Sequence, residues 1–261
     1  MKLTHIHIDS YKLFHDFDID FCQNGEVQNL TVITGINGNG KTTLLSNIIG
    51  GNDSSEMPAS TITTEIDGKD IIFSLPIKPS DEYYGELFSD VIYYKSGTEL
   101  SSAMLQNEVI RYVDKFVYEK GKTSFEAYSE IQRLIEDIFQ GFDLQIRFKG
   151  INRDKHLIFS NSGGAEFGIG GLSDGEQQIL SKIFPLFTDD MKGRVILIDE
   201  PEDSLHPSWQ TRFISVLRRC SALNDCQFIL ATHSPQIISA THKEEIRILV
   251  RNEAGNVEVA S

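Results

Sequence analysis

Ile6 and Ile8 alternate with polar neighbours, and Phe17, Ile19 and Phe21 do the same, which predicts two half-buried strands near the start of the chain. Leu30-Thr31-Val32-Ile33-Thr34 is a short apolar strand that stops at a Gly-rich turn. Leu44, Leu45, Ile48 and Ile49 then share one helical face, and Gly50-Gly51-Asn52-Asp53 ends that helix. Residues 60–76 read as a hairpin turning at Asp67-Gly68, and Val91-Ile92-Tyr93-Tyr94 as a short strand. From about Ala103 to Phe142 the period turns helical. Val109, Tyr112, Val113 and Phe116 form one stripe, and Ile131, Leu134, Ile135 and Ile138 another, parted by Gly121-Lys122-Thr123. These stripes read as core faces of a small helical lobe inserted at about 77–142. They sustain no heptads, which excludes a long coiled-coil arm.

Leu144–Phe148 and Leu157–Phe159 look like a second strand pair. A Gly-rich turn at Gly168–Gly171 leads into a helix, and the apolar strand Val195-Ile196-Leu197-Ile198 follows. A helix carrying Trp209, Phe213, Ile214 and Leu217 precedes the strand Phe228–Ala231. Ile246–Val259 reads as a closing hairpin through Ala254-Gly255-Asn256. Continuously apolar strands alternating with helices imply a buried parallel sheet whose ligand site lies at the strands' carboxyl ends. The expected fold is therefore α/β: one domain over residues 1–261, with a mixed sheet core, an antiparallel β lobe and the helical lobe.

Composition narrows the function class. Of the 261 residues, 40% are hydrophobic, enough for a sizeable core. No run of about 18 apolar residues exists to span a membrane, and the first residues read as a strand and not as a signal peptide. Cys22, Cys220 and Cys226 are few and not in a Cys-x-x-Cys pair, which suits reduced thiols in a cytoplasmic protein. The net charge of −14 argues against a surface that grips nucleic acid everywhere. The densest basic stretch, Arg147, Lys149, Arg153 and Lys155, reads either as a local nucleic-acid contact or as a solvated hairpin edge, and the acidity favours the edge.

Three segments carry chemistry. Gly35-Ile36-Asn37-Gly38-Asn39-Gly40-Lys41-Thr42 fits G-x-x-x-x-G-K-[ST] in full, after a predicted strand and before a predicted helix. Backbone N–H groups of Gly35, Asn37, Gly38, Asn39, Gly40 and Thr43 can curl around phosphate oxygens, helped by the helix N-terminus. Lys41 is expected at the β- and γ-phosphates, and the Thr42 hydroxyl on Mg²⁺. Asp199-Glu200 ends a buried strand, where carboxylates are costly unless they serve a cation or a proton. Alone this pair would read as helix capping. Beside a phosphate loop, Asp199 suits Mg²⁺, and Glu200 suits the base that activates water. Leu172-Ser173-Asp174-Gly175-Glu176-Gln177-Gln178 can be a plain N-cap with a capping box.

Here the sequence resembles the ABC-type ATPases, whose signature is Leu-Ser-x-Gly-Glu/Gln-Gln. The resemblance implies an ATP-sandwich homodimer in which Ser173, Gly175 and Glu176 of one subunit close over ATP held by the other. Two further elements resemble the family in the same order. Pro201-Glu202-Asp203-Ser204-Leu205-His206-Pro207 looks like its dimer-contact loop. Thr232-His233-Ser234-Pro235 looks like its switch, with His233 at the γ-phosphate, although a lone histidine at a strand end is more often structural. The family's glutamine loop is the departure. The nearest glutamine, Gln106, falls on the predicted helical lobe.

The wording of these motifs resembles the non-transporter branch: RecF, OLD nucleases, SMC-like repair proteins, and the ATPases of anti-phage systems such as Septu and retrons. That likeness implies a P-loop NTPase of ABC-ATPase type, using ATP and Mg²⁺ to control a separate nuclease or toxin in DNA repair or phage defence. Two readings stand beside it, the nucleotide-binding subunit of an ABC transporter and a degenerate scaffold that binds ATP without hydrolysing it. The Leu-His-Pro loop and the missing glutamine weaken the first, and an intact Glu200 weakens the second.

Overall fold

The computed structural model describes residues 1–49, 59–75, 89–95, 102–142, 144–154, 156–187, 191–203 and 205–260. The predicted helix stop at Gly50–Asp53, the stretch 80–88, Lys155 and Ser204 lie outside them. Two compact units emerge: residues 1–97 with 191–203 and 217–261, and residues 98–190 with 204–216.

The first unit holds two sheets. One is antiparallel, with strands β1 (Lys2–Tyr11), β2 (Phe14–Asp20), β6 (Ser60–Ile66) and β7 (Lys69–Leu75) in the order β2-β1-β6-β7. A two-stranded ribbon, β3 (Cys22–Gln23) with β4 (Glu26–Val27), was not legible as separate strands. The other sheet has six strands: β5 (Leu30–Thr34), β8 (Val91–Tyr94), β12 (Val195–Asp199), β13 (Gln227–Ala231), β14 (Ile246–Arg251) and β15 (Val257–Val259). Its order is β15-β14-β5-β13-β12-β8, parallel except for the β14–β15 hairpin. Every residue of β5, β12 and β13 is buried, as continuous apolar strings require when both faces of a sheet are covered. One core joins the two sheets, with Ile6, Ile8, Phe17 and Ile19 from the antiparallel side and Ile33, Leu197, Ile229 and Leu249 from the parallel side.

After the Gly-rich turn, α1 (Lys41–Thr43) passes at once into π winding over Leu44–Ile49. The sequence periodicity predicted an ordinary helix there. Leu44, Leu45 and Ile49 enter the core with this wider winding.

The second unit contains α2 (Ser102–Tyr118), α3 (Ser124–Gly141), α4 (Asp174–Ile183) and a three-stranded antiparallel sheet. That sheet comprises β9 (Ile146–Ile151), β10 (Leu157–Asn161) and β11 (Glu166–Gly168), with β9 at an edge. The predicted stripes do face a core: Val109, Ile131, Ile135 and Ile138 are essentially inaccessible. Phe139, Phe148 and Phe159 pack ring to ring at 5.5–6.1 Å. α3 starts on a Thr123/Glu126 capping box. Helix α5 (Pro207–Asn224) contributes to both units, and α6 (Pro235–Ala240) follows β13. No described helix is long and apolar enough to cross a membrane. Cys22, Cys220 and Cys226 carry no disulfide.

Candidate functional site

Parallel register decides where the chemistry gathers. Asp199 is level with Ala231, and Ala231 with Ile33, so β12, β13 and β5 end side by side. The backbone continues that alignment past the strand ends. Glu200 N–H donates to Ala231 O (2.8 Å), and Thr232 N–H donates to Ile33 O (3.0 Å). The phosphate loop, the acidic pair and the switch histidine therefore share one edge of one sheet.

The loop is held from both sides. A Cβ on Gly35 would meet Leu249 O at 2.4 Å, and one on Gly40 would meet the Phe14 ring at 2.7 Å. Both glycines have positive φ, so neither position accepts another residue without strain. Asn39 is 1% exposed, and its Nδ2 donates to Leu249 O at 2.8 Å. Its side chain thus braces the loop against β14, while Asn37 and Gly38 stay exposed. Arg251 Nη2 adds a hydrogen bond to Gly38 O at 2.9 Å. Lys41 Nζ donates to Gly35 O (2.8 Å) and Ile36 O (3.4 Å), so its ammonium lies across the loop it springs from. Burial lowers its pKa, and Glu200, Asp199 and Glu202 pull in the other direction.

Asp199 is 4% exposed, and its pKa is raised by burial against hydrogen bonds from Thr42 and Tyr93. Its Oδ1 is buried and accepts no hydrogen bond among the described residues. A buried anionic oxygen beside a threonine hydroxyl is the hard donor set that Mg²⁺ takes, so the residues fit that ion. Tyr93 OH donates to Oδ2 at 3.3 Å, and burial beside this carboxyl pushes the Tyr93 pKa up to about 12. The sequence reading gave Tyr93 no role. Gln106, the weak candidate for the glutamine loop, lies on α2.

Glu200 adopts a left-handed φ of 47°, unusual for a side chain of this size and a mark of a constrained position. His233 Nδ1 is 3.6 Å from Glu200 Oε1 and 3.2 Å from Glu202 Oε1. Glu202 was read only as part of the dimer-contact loop. It is 8% exposed and binds the switch segment directly.

In the other unit, Ser173 caps α4 in a capping box. Ser173 N–H donates to Glu176 Oε2 (2.8 Å), and Glu176 N–H donates to Ser173 Oγ (3.4 Å). A Cβ on Gly175 would meet Trp209 at 2.6 Å, so packing alone already demands glycine there. The bland reading of Ser173, Gly175 and Glu176 is therefore realised, and a nucleotide role would come in addition to it.

Comparison with known proteins adds the family. The AAA_23 family, described as an AAA domain, matches residues 5–149, more than half the chain. The AAA_21 family, an AAA domain linked by its description to AbiEii and type IV toxin–antitoxin systems, matches residues 105–239. Among curated relatives, the Retron Vc95 probable ATPase of Vibrio cholerae is 30% identical over 45% of this chain and 25% of its own length. The Septu protein PtuA of Bacillus thuringiensis is 29% identical over 49% and 35%, and the OLD nuclease of Thermus scotoductus 25% identical over 64% and 31%. The chain thus spans about a quarter to a third of these relatives. Among solved structures, an SMC head bound to the C-terminal winged-helix domain of ScpA covers the whole chain with a TM-score of 0.65 at 15% identity. The SMC head of Thermotoga maritima gives 0.62 at 17%. The fold is that of an SMC-like P-loop ATPase.

Proposed function

Because the chain belongs to the AAA-domain family of P-loop ATPases, we propose that it binds and hydrolyses ATP as a sandwich homodimer whose nucleotide state controls a separate effector. The observation that carries this is the shared edge of β5, β12 and β13, which gathers Lys41, Asp199, Glu200 and His233. The triphosphate lies along Gly35–Thr43, where backbone N–H groups and the Lys41 ammonium meet its charge. Thr42 and Asp199 would hold Mg²⁺, which when bound would supply Lewis-acid chemistry. Glu200 takes the proton of the attacking water, and such assistance contributes about 10²–10⁴-fold in rate. His233 faces the terminal phosphate. Ser173, Gly175 and Glu176 of the second subunit close the site and exclude water. Loss of the γ-phosphate removes the bridge between subunits, and their parting is the signal.

The OLD nuclease among the relatives and the AbiEii toxin named in the AAA_21 description favour an effector of nuclease or toxin type, and the retron ATPase and Septu relatives favour that over a transporter role. The test is a pair of measurements on the same preparation. The parent chain hydrolyses ATP with Mg²⁺. Lys41→Ala weakens ATP binding by about a hundredfold, in line with ~2–3 kcal/mol for charge-assisted contacts, and its turnover disappears. Unchanged ATP affinity in Lys41→Ala, read by equilibrium binding, would sink the reading.

A further inference from the structure

Glu202 Oε1 collects donors from three consecutive residues: Thr232 Oγ1 at 2.6 Å, His233 N at 2.9 Å and Ser234 N at 3.1 Å. The same oxygen lies 3.2 Å from His233 Nδ1. Capping of α6 does not require this carboxylate, since Ser234 Oγ already accepts from Gln236 N and Ile237 N. The arrangement thus fixes the switch backbone and the imidazole together. Glu200 Oε1 stands 3.6 Å from that same Nδ1, so the ring sits between two carboxylates and the nearer one is not the base.

We infer that Glu202 is a positioning residue for hydrolysis: it holds His233 with Nδ1–H directed at the buried carboxylate and keeps that proton away from Glu200. The inference rests on the ATPase reading above. With Nδ1–H committed to the carboxylate, Nε2 is the ring nitrogen left to face the nucleotide. If Glu202 is removed, the nearest carboxylate to Nδ1–H becomes Glu200, and a base that accepts this hydrogen bond takes a proton from water less readily. Glu202 also belongs to Pro201–Pro207, the segment resembling the dimer-contact loop, so pressure from a second subunit on that segment reaches His233 through one side chain.

Two experiments test this. Nitrogen NMR of His233 in the nucleotide-free parent reads the tautomer without any turnover. The neutral ring carries its proton on Nδ1, against the Nε2 preference of free histidine, and removing both facing carboxylates in Glu200→Ala/Glu202→Ala restores the Nε2 form. A parent ring protonated on Nε2 overturns the proposal whether or not the chain hydrolyses ATP. The second is a kinetic cycle. Glu202→Ala lowers kcat by about tenfold, a part of the roughly 10²–10⁴-fold that a general base contributes, while ATP affinity stays near the parent. Glu202→Gln keeps an acceptor oxygen and recovers part of that loss. In a His233→Ala background, Glu202→Gln costs nothing further. Losses that multiply across the cycle, or affinity that falls with turnover, contradict it. An inactive parent, or a Lys41→Ala variant with intact affinity, would instead strike at the ATPase reading.

Discussion

Gly40 shows how little freedom the phosphate loop has. Its φ is +80°, and the space where a side chain would begin is filled by the Phe14 ring, itself fully buried. Gly40→Ala is expected to destabilise the fold by about 1–3 kcal/mol, since it combines left-handed strain with a core clash. Thermal unfolding should show a lower Tm, and ATP affinity should fall because the loop must move to relieve the contact. A variant with parent Tm would mean that the loop is softer than this packing implies. At this scale much was legible in the sequence. Lys41, Thr42, Asp199 and Glu200 stood out because phosphate, metal and proton chemistry use few residue types at fixed spacings next to strands, whereas His233 stood out only through the family resemblance, and Asp199 and His233 do lie at neighbouring strand ends. Glu202, Tyr93 and the inward turn of Asn39 were not legible. Their partners lie 31, 106 and 210 positions away along the chain, and only strand register brings them near. No local pattern encodes such a meeting.

Helix α4 has two readings that sequence alone could not separate. Its capping box is present, and an N-cap serine contributes about 1 kcal/mol relative to alanine. A contact with ATP across a dimer would use the same hydroxyl and the same positive helix end. Ser173→Asp distinguishes them. Aspartate caps as well as serine, so the unfolding free energy should stay within about 0.5 kcal/mol of the parent by denaturant titration. A carboxylate facing a triphosphate repels it, so ATP-driven dimerisation should fail while the monomer still binds ATP. Parent-like turnover in Ser173→Asp would leave the cap as this serine's only role. Element types were largely readable from period: β12 and β13 from their continuous apolar cores, β5 from a short apolar run before the Gly-rich turn, α2 and α3 from their stripes. The π winding after Lys41 was not, because Leu44, Leu45 and Ile49 satisfy either period and the core chooses between them.

For the whole molecule, the net charge of −14 sets the terms of association. Two such subunits would repel, and ATP would add further negative charge between them, so the proposed closure needs Mg²⁺, Lys41 and the helix ends to outweigh that repulsion. The basic residues Arg147 and Lys149 lie on β9, an edge strand, which is the solvated setting their composition suggested. The central claim is that ATP itself joins two copies of the chain. Light scattering on Glu200→Gln, which under the proposed mechanism binds ATP without hydrolysing it, measures this directly. The account predicts the mass of one chain without nucleotide and of two chains with ATP and Mg²⁺. A mass that ATP leaves unchanged would contradict it, and the composite site would then have to be sought in a constitutive assembly or with a different partner.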